Sequence, residues 1–366
     1  MKLLMVQPSL THYRVPVYRE LAARPGVDLM VWHAQGVGDQ NVEPDGFDAE
    51  LRPMKRGRLF GQPWYWHPAQ LDAATADYDV VMFNWDIHYL SLIPALRKAK
   101  RNGVGTVLWG HGTSRRDAGF AGKPKRWLAK LADALLLYTP ATAEVYQQRG
   151  FTNAFAAPNT IDTSAIDAVR RDDKEAAKRE LGLTGKVALH VSRLVPERRV
   201  DVLLHALVFD HGREWTAVIV GDGPAKPELL ELARKLDLGG RVRFVEPLFD
   251  VADLAPWYAA AEAFVMPAFG GLGVLSALAF GVPVVADGRA ELHGPEIAAV
   301  EDGVNGLFID RLVPSDLMVK LNRLPDATLA ANALRTMREK FSIPSMIDGM
   351  LEAARFAANR VAEQRS

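Results

Sequence analysis

The stretch AFVMPAFGGLGVLSALAFGVPVVA, residues 263–286, decides the fold and is the longest run of the chain without a charged side chain. Such a run is typical of a membrane helix, but its two prolines and four glycines argue against one. They divide it into a predicted buried strand over 264–267, a glycine loop, a short helix over 272–280 and a buried strand over 282–286. Strands buried on both faces indicate a parallel sheet. The glycine loop is either a phosphate-binding helix N-terminus or only a tight turn.

Predicted strands and helices alternate along the rest of the chain. The alternation indicates an α/β protein with two Rossmann-like, doubly wound parallel-sheet domains and a ligand cleft between them. The polar segment 158–185 is interpreted as the linker and is expected to end in a helix, whereas segment 35–60 is expected to be irregular. The predicted strands are 3–6, 27–34, 79–84, 104–109, 134–138, 153–157, 187–192, 215–221, 242–246 and 306–310.

The predicted domains are a first domain over 1–163, a second over 164–343 and a C-terminal helix within 344–366 that crosses back to the first domain. The apolar fraction of 49% and charged fraction of 24% are those of a soluble globular protein. The absence of cysteine excludes disulfides and thiolate metal sites. No carboxylate–histidine cluster has metal-ligand spacing, so neither a metal nor another cofactor is expected. No signal peptide is recognised, so the cytoplasm is the expected location.

Positive charge is concentrated in segment 95–130, which contains ten Lys/Arg and one acid, although the whole chain is neutral. This segment is either a solvated helix face or a surface for an anionic partner or membrane. Nucleic acid is not expected as a partner, because the chain carries no net charge. The candidate residues for contact with an anionic partner or membrane are His12, Arg115, Arg116, Lys123, Lys125, Arg126 and Trp127.

Five short motifs follow one another between about residue 158 and residue 345. They are Pro158-Asn-Thr-Ile-Asp162, Ser192-Arg-Leu-Val-Pro-Glu-Arg198, Val220-Gly-Asp-Gly-Pro224, the stretch 263–286 and Glu301-Asp-Gly-Val-Asn-Gly306. Together they resemble the nucleotide-sugar-binding domain of the retaining glycosyltransferases of family 4, which have the GT-B fold. The resemblance implies that the second domain binds a nucleotide diphosphate sugar and that the first binds the acceptor.

The resemblance also assigns residues to the donor site. Arg193 and Arg198 stand where the family has its phosphate-binding Arg and Lys, and arginine suits a diphosphate because it can bind phosphate bidentately. The alternative is that both arginines belong to an exposed loop without a ligand. The other predicted donor-binding residues are Gly223, which lets the backbone approach the nucleotide, Leu248 beside the base, and Gly270 and Gly271, whose N–H groups face phosphate.

Two departures from the family lie in the same loop. The family's two glutamates, which address the donor sugar and the ribose, are replaced by Ala268 and Ser276. Ser276 can still form a hydrogen bond with a hydroxyl group, whereas alanine offers no polar contact. Glu291 or Glu296, in the next loop, is a candidate substitute, and Glu296 is assigned to the donor site.

His111 is the predicted catalytic residue, because the family places a histidine that faces the donor sugar at this position. It follows a parallel strand and could orient a sugar hydroxyl or transfer a proton, or it could only cap the strand. The chain is therefore expected to be a retaining glycosyltransferase that acts on a glycan or a lipid-linked glycan at the inner face of the cell membrane. The alternative is a non-catalytic GT-B relic that binds a glycan or a partner glycosyltransferase.

Overall fold

The computed structural model describes residues 1–36, 41–59, 61–112 and 123–365. Contacts divide the chain into two compact units, which are Met1–Asn159 with Ile343–Ser366 (the first unit) and Thr160–Ser342 (the second unit). Arg115 and Arg116 lie outside the described residues, as does the side chain of Lys123. Within the described part of the chain, no helix is long and apolar enough to span a membrane.

The first unit contains a seven-stranded parallel sheet in the order β3-β2-β1-β6-β7-β8-β9. Its strands are β1 (Lys2–Gln7), β2 (Asp28–His33), β3 (Asp48–Leu51), β4 (Lys55–Leu59), β5 (Gln62–Trp66), β6 (Val80–Asn84), β7 (Gly105–Gly110), β8 (Ala134–Leu137) and β9 (Ala154–Ala156). Its first helices are α1 (Val15–Ala22), α2 (Pro68–Ala73), α3 (Leu92–Asn102), α4 (Lys123–Ala129) and α5 (Pro140–Gln148). Strands β4 and β5 form a separate antiparallel hairpin.

The second unit contains a six-stranded parallel sheet in the order β12-β11-β10-β13-β14-β15. Its strands are β10 (Lys186–Val191), β11 (Trp215–Val220), β12 (Val242–Val245), β13 (Ala263–Met266), β14 (Val284–Asp287) and β15 (Gly306–Ile309). Its helices are α6 (Ser164–Val169), α7 (Lys174–Leu181), α8 (Val200–Ala206), α9 (Lys226–Lys235), α10 (Val251–Ala260), α11 (Leu272–Ala279), α12 (Pro314–Leu321) and α13 (Ala327–Glu339). The two parallel sheets confirm the predicted α/β class.

The last helix, α14 (Ile343–Arg365), packs on strands β7, β8 and β9 of the first unit. Its apolar face, which includes Met346, Met350 and Ala354, is fully buried in the core on that side of the sheet. Gly349 lies so close to the carbonyl of Ala156 that a Cβ atom would collide with it. The absence of a side chain at this position therefore lets the helix axis approach the sheet.

Two segments differ from the sequence prediction. The predicted irregular stretch 35–60 contains the edge strand β3 and the first strand of the hairpin, both of which are too polar to show a hydrophobic pattern. The predicted linker 158–185 ends in a helix, α7, as expected, but it also contains α6, and both helices pack on α10 in the second unit. Lys178 of α7 is anchored there by a buried ion pair with Glu262, at 2.8 Å.

Candidate functional site

The loop after β10 carries the two predicted phosphate-binding arginines. Arg193 is exposed, and Arg198 closes the 3₁₀ turn Pro196–Arg198 and is half-buried. Both follow the carboxyl end of a central strand of the second sheet, which is the edge where α/β sheets bind ligands.

Two glycines of the neighbouring turn hold this loop. A Cβ atom on Gly221 would collide with the carbonyl of Ser192, and one on Gly223 would collide with the carbonyl of Leu194. The backbones are also hydrogen-bonded, since Leu194 N–H donates to the Asp222 carbonyl at 2.8 Å. The close approach that Gly223 permits is therefore to the chain's own backbone, and it fixes the loop that bears Arg193.

A buried histidine, His190, forms a hydrogen bond with the first residue of the same loop. His190 lies 2.8 Å from the Val265 carbonyl through Nδ1 and 2.7 Å from Ser192 Oγ through Nε2. Burial lowers the pKa of His190 to about 4, so the ring is neutral near pH 7. Because a carbonyl only accepts, Nδ1 carries the proton, and the Ser192 hydroxyl donates to Nε2. This hydrogen bond holds the Ser192 side chain at the start of the loop that carries Arg193.

The positively charged guanidinium of Arg198 is partly buried. Its Nη1 lies 3.9 Å from Met266 Sδ, and its guanidinium lies 5.5 Å from the centre of the Phe269 ring. Burial lowers the pKa of Arg198, and the negative charge of Glu296 opposes that shift. Among the described residues, its Nε is buried without a hydrogen-bond partner and no carboxylate lies within ion-pair distance.

The glycine loop after β13 is tied to the loop after β14. The N–H of Phe269 donates to the Leu292 carbonyl at 2.8 Å, and the N–H of Gly270 donates to His293 Nδ1 at 2.9 Å. The N–H of Gly270 is therefore engaged within the protein, and a phosphate there would have to replace this bond. Gly271 faces open space, because a Cβ atom there would meet no heavy atom within 4 Å.

The two positions where the family has glutamate are occupied by side chains without charge. Ala268 is buried, and the Ser276 hydroxyl lies 3.4 Å from the Leu272 carbonyl of its own helix α11. Of the two candidate substitutes, Glu291 is exposed, whereas Glu296 is buried. The Glu296 carboxylate lies against Gly294, which is itself hydrogen-bonded to the Gly270 carbonyl at 2.7 Å. Glu296 is therefore the carboxylate that lies at the glycine loop.

The predicted base-contacting segment follows β12. Leu248 is partly buried against the core of the second unit, while Phe249 beside it is 91% exposed. Glu246, which replaces a family glycine, forms an ion pair with Lys226 at 2.7 Å. The exposed ring of Phe249 was not singled out from the sequence, in which only its position next to Leu248 marks it.

His111 follows β7 at the carboxyl edge of the first sheet. Its ring centre lies 4.8 Å from that of Tyr138, and part of its surface is exposed. The protein atoms around the ring lower its pKa, and the positive charges of Lys125 and Arg14 lower it further. The imidazole is therefore neutral near pH 7 and able to accept a proton.

Arg14, which sequence analysis missed, is a buried cation at the same edge. Its guanidinium lies 4.4 Å from the centre of the Trp109 ring, and its Nη2 lies 3.4 Å from the Tyr138 hydroxyl. In the described part of the chain it forms no ion pair with a carboxylate, although only 8% of the residue is exposed. No sequence pattern distinguishes it from the other arginines of the first unit.

The structure places the described residues of the predicted basic segment 95–130 in different surroundings. Lys125 acts electrostatically on His111, whereas Arg126 and Trp127 line a separate pocket together with residues beyond the segment. His12 is exposed and contacts Tyr13 edge-on, with 5.6 Å between the ring centres. Among the described residues, no group of three or more His, Asp or Glu could hold a metal ion.

Part of the chain is similar in sequence to known glycosyltransferases. Residues 185–326 match the family model described as glycosyl transferases group 1. The chain is 36% identical over 178 residues to D-inositol 3-phosphate glycosyltransferase 2 of Catenulispora acidiphila, which covers 44% of this chain and 40% of that protein. It is also similar to the GDP-mannose-dependent monoacylated alpha-(1-6)-phosphatidylinositol monomannoside mannosyltransferase of Corynebacterium glutamicum. The two sequences are 32% identical over 200 residues, which cover 48% of this chain and 50% of that protein. The chain thus spans about half the length, or less, of these curated relatives.

Similarity to solved structures extends over both units. The Anabaena protein Alr3699/HepE, crystallised with UDP, is 19% identical with a TM-score of 0.72, covering 96% of this chain and 99% of that one. Sucrose-phosphate synthase from Thermosynechococcus elongatus is 18% identical with a TM-score of 0.69, covering 97% and 98%. These likenesses confirm the predicted fold. The chain therefore has the GT-B fold seen in glycosyltransferases, and its residues 185–326 match the glycosyl transferases group 1 family model.

Proposed function

We propose that the protein is a retaining glycosyltransferase that transfers a sugar from a nucleotide diphosphate sugar to a glycan or lipid-linked glycan. The observation that carries this proposal is Arg198, a partly desolvated guanidinium without an ion pair in the described part of the chain. Desolvating a cation costs free energy unless an anion compensates it. A bound diphosphate supplies that anion.

The two arginines have a chemical role in transfer as well as in binding. When the sugar leaves, negative charge develops on the diphosphate oxygens, and positioned cations stabilise that charge. Arg198 would hold the diphosphate from a fixed position, and the exposed Arg193 would close on it from solvent. The UDP complexes of structural neighbours support a nucleotide-sugar donor.

Glu296 is the proposed replacement for the lost family carboxylates. Its carboxylate is buried beside the glycine loop and attracts Arg198. In this position it would accept hydrogen bonds from sugar hydroxyls, and such bonds to a charged group contribute about 1.5–3 kcal/mol each. Ser276 would keep a weaker contact with the ribose.

The proposed acceptor carries a phosphate group. Arg14, Lys125 and His111 lie together in the first unit, and Arg14 is buried without a carboxylate partner among the described residues. The curated relatives are named for acceptors that contain inositol phosphate or phosphatidylinositol. We place the reaction at the inner face of the cell membrane, where a lipid-linked acceptor would be reached by peripheral attachment.

The second candidate function is a GT-B relic that binds a glycan or a partner glycosyltransferase without turnover. The observation that favours it is the loss of both family carboxylates, at Ala268 and Ser276. A relic predicts that the protein binds a nucleotide but breaks no sugar–phosphate bond.

The two functions are separated by measuring release of nucleoside diphosphate from a panel of UDP, GDP and ADP sugars, with and without phosphoinositol acceptors. The enzyme should release the diphosphate from at least one donor, and release should increase with an acceptor. Proton NMR of the glycosidic product should show the anomeric configuration of the donor. Tight nucleotide binding without release from any donor would establish the relic instead.

A further inference from the structure

A pocket of about 600 Å³ in the first unit lies outside the site described above. We call it the basic pocket, and its lining residues are Arg126, Trp127, Lys130, Arg149 and Phe151. Its volume is within the range of small-molecule sites. Three of its five lining residues are cations, and no acidic residue is among them.

The basic pocket lies at the opposite sheet edge from His111. Lys130 lies in the connection between α4 and β8, and Arg149 and Phe151 lie in the connection between α5 and β9. These connections precede the amino ends of two neighbouring parallel strands, whereas His111 follows the carboxyl end of β7. A ligand in the basic pocket would therefore leave the catalytic edge unobstructed.

The charges of the basic pocket are not compensated within the described part of the chain. Arg126, Lys130 and Arg149 form no ion pair there, whereas other cations of the first unit, such as Arg19, do. A further cation, Arg97, lies 5.9 Å from the centre of the Trp127 ring. Cations that converge without acids lower the free energy of a bound anion.

The aromatic residues give the basic pocket an apolar component. Trp127 is 45% exposed at its mouth, while Phe151 is only 9% exposed. A half-exposed indole beside cations is typical of a protein surface at the lipid headgroup region, because its ring is apolar and its N–H is polar. This pairing favours a lipid surface over a freely dissolved anion.

We infer that the basic pocket holds the phosphate headgroup of an anionic lipid and so docks the protein on a membrane through the amino edge of its first sheet. This inference rests on the proposed peripheral attachment and not on the chemistry of sugar transfer. Arg149 distinguishes it from a diffuse attraction by segment 95–130, because Arg149 lies outside that segment but lines the basic pocket. If membrane binding came only from the general positive charge of segment 95–130, replacing Arg149 would not weaken it specifically.

The test is flotation of the full-length protein with vesicles of phosphatidylcholine alone or of phosphatidylcholine with phosphatidylglycerol. We expect binding only to the anionic vesicles, with a loss when salt rises from about 0.1 M to about 0.5 M. Arg126→Gln, Lys130→Gln and Arg149→Gln should each weaken binding about five-fold. Arg58→Gln is the matched control, because it removes the same charge from an exposed strand of the first unit outside the pocket.

Two further measurements distinguish a failure of the lipid-binding inference from a loss of folding or of nucleotide binding. All the pocket variants should keep the thermal stabilisation by nucleoside diphosphate, which reports folding and the donor site of the second unit. Inorganic phosphate at millimolar concentration should not displace the protein from vesicles. Equal binding by the Arg149→Gln and Arg58→Gln variants, equal binding to neutral vesicles, or displacement by phosphate would overturn the inference. The donor-site proposal would stand in each case.

Discussion

At the residue scale, the proposed donor site depends on two charged side chains that are wholly or partly removed from solvent. Arg198 is partly desolvated, and Glu296 is the buried carboxylate that acts on it. A diphosphate would be attracted by the arginine and repelled by the glutamate, whereas sugar hydroxyls would bind the glutamate. The two residues should therefore affect different steps of the reaction.

Glu296→Gln should lower turnover about ten- to a hundred-fold, because a neutral amide accepts a weaker hydrogen bond from a sugar hydroxyl. It should leave affinity for the nucleoside diphosphate unchanged or higher, since a negative charge near the phosphates has been removed. Steady-state kinetics and calorimetry measure the two effects. Glu291→Gln is the control, because Glu291 lies in the same loop but is exposed. An equal loss of turnover in both variants would argue against a role for Glu296.

His111→Ala should lower turnover about a hundred-fold without changing nucleotide binding by the second unit. Because the pKa of His111 is lowered, the neutral ring should predominate at pH 7, and turnover should fall only as the pH drops through that lowered value. A pH–rate profile of the wild type, compared with that of the variant, measures this. The same acid limb in the variant would mean that another group titrates.

Several residues of the site were predictable from the sequence, but their contacts were not. Arg193 and Arg198 were identified by position within a motif, and the replacement at Ala268 by alignment of the same loop. The bond from Gly270 to His293 joins residues 23 positions apart in two different loops. Only the parallel pairing of β13 with β14 brings these loops together, and no local pattern encodes it.

At the scale of elements, the proposed donor site includes two turns, which follow β10 and β11. Gly221 and Gly223 allow these turns to contact each other backbone to backbone. We therefore expect the motif around Gly223 to affect phosphate binding through the position of the Arg193 loop.

Gly223→Ala should lower the free energy of unfolding of the second unit by about 1–3 kcal/mol, because its φ of +156° and the Leu194 carbonyl both oppose a side chain. It should also weaken nucleotide binding by moving the arginine loop. Gly239→Ala is the matched control, since a Cβ atom there meets nothing within 4 Å. Urea unfolding measures both variants, and equal stabilities would contradict the proposed role of the turn contact.

The sequence predicted the buried strands well and the polar elements poorly. Strands such as β6 and β8 are continuous apolar runs, so their pattern identifies them. Strand β3 and the β4–β5 hairpin are largely exposed, and helix α6 buries only Ile166 in an otherwise polar segment. Tertiary pairing forms these elements, and hydrophobic periodicity cannot reveal it.

At the scale of the whole molecule, each unit contains a buried neutral histidine. Burial lowers the pKa of His67 in the first unit and of His190 in the second to about 4. The unfolded chain binds these protons near pH 6.5, so it holds more protons than the folded chain between pH 6.5 and 4. Stability is therefore full above pH 6.5 and is lost as the pH falls.

Each unit should lose about 3 kcal/mol of unfolding free energy between pH 6.5 and pH 4. The loss should begin above pH 5, where few carboxylates take up protons. Urea unfolding followed by circular dichroism at half-unit pH steps measures this. A constant unfolding free energy between pH 6.5 and 5 would show that neither ring is held neutral by the fold.

The central claim is that the arginines of the second unit hold a nucleotide diphosphate. Isothermal titration of UDP and GDP into the wild type, Arg198→Ala and Arg234→Ala tests it most directly. Arg234 is the control because it is exposed and, among the described residues, its ion pair is with Glu231 of its own helix, at 2.8 Å. We expect one of the two nucleotides to bind the wild type and the Arg234→Ala variant equally, and to bind Arg198→Ala about ten- to a hundred-fold more weakly. Equal affinity for all three proteins, or no binding to the wild type, would contradict it.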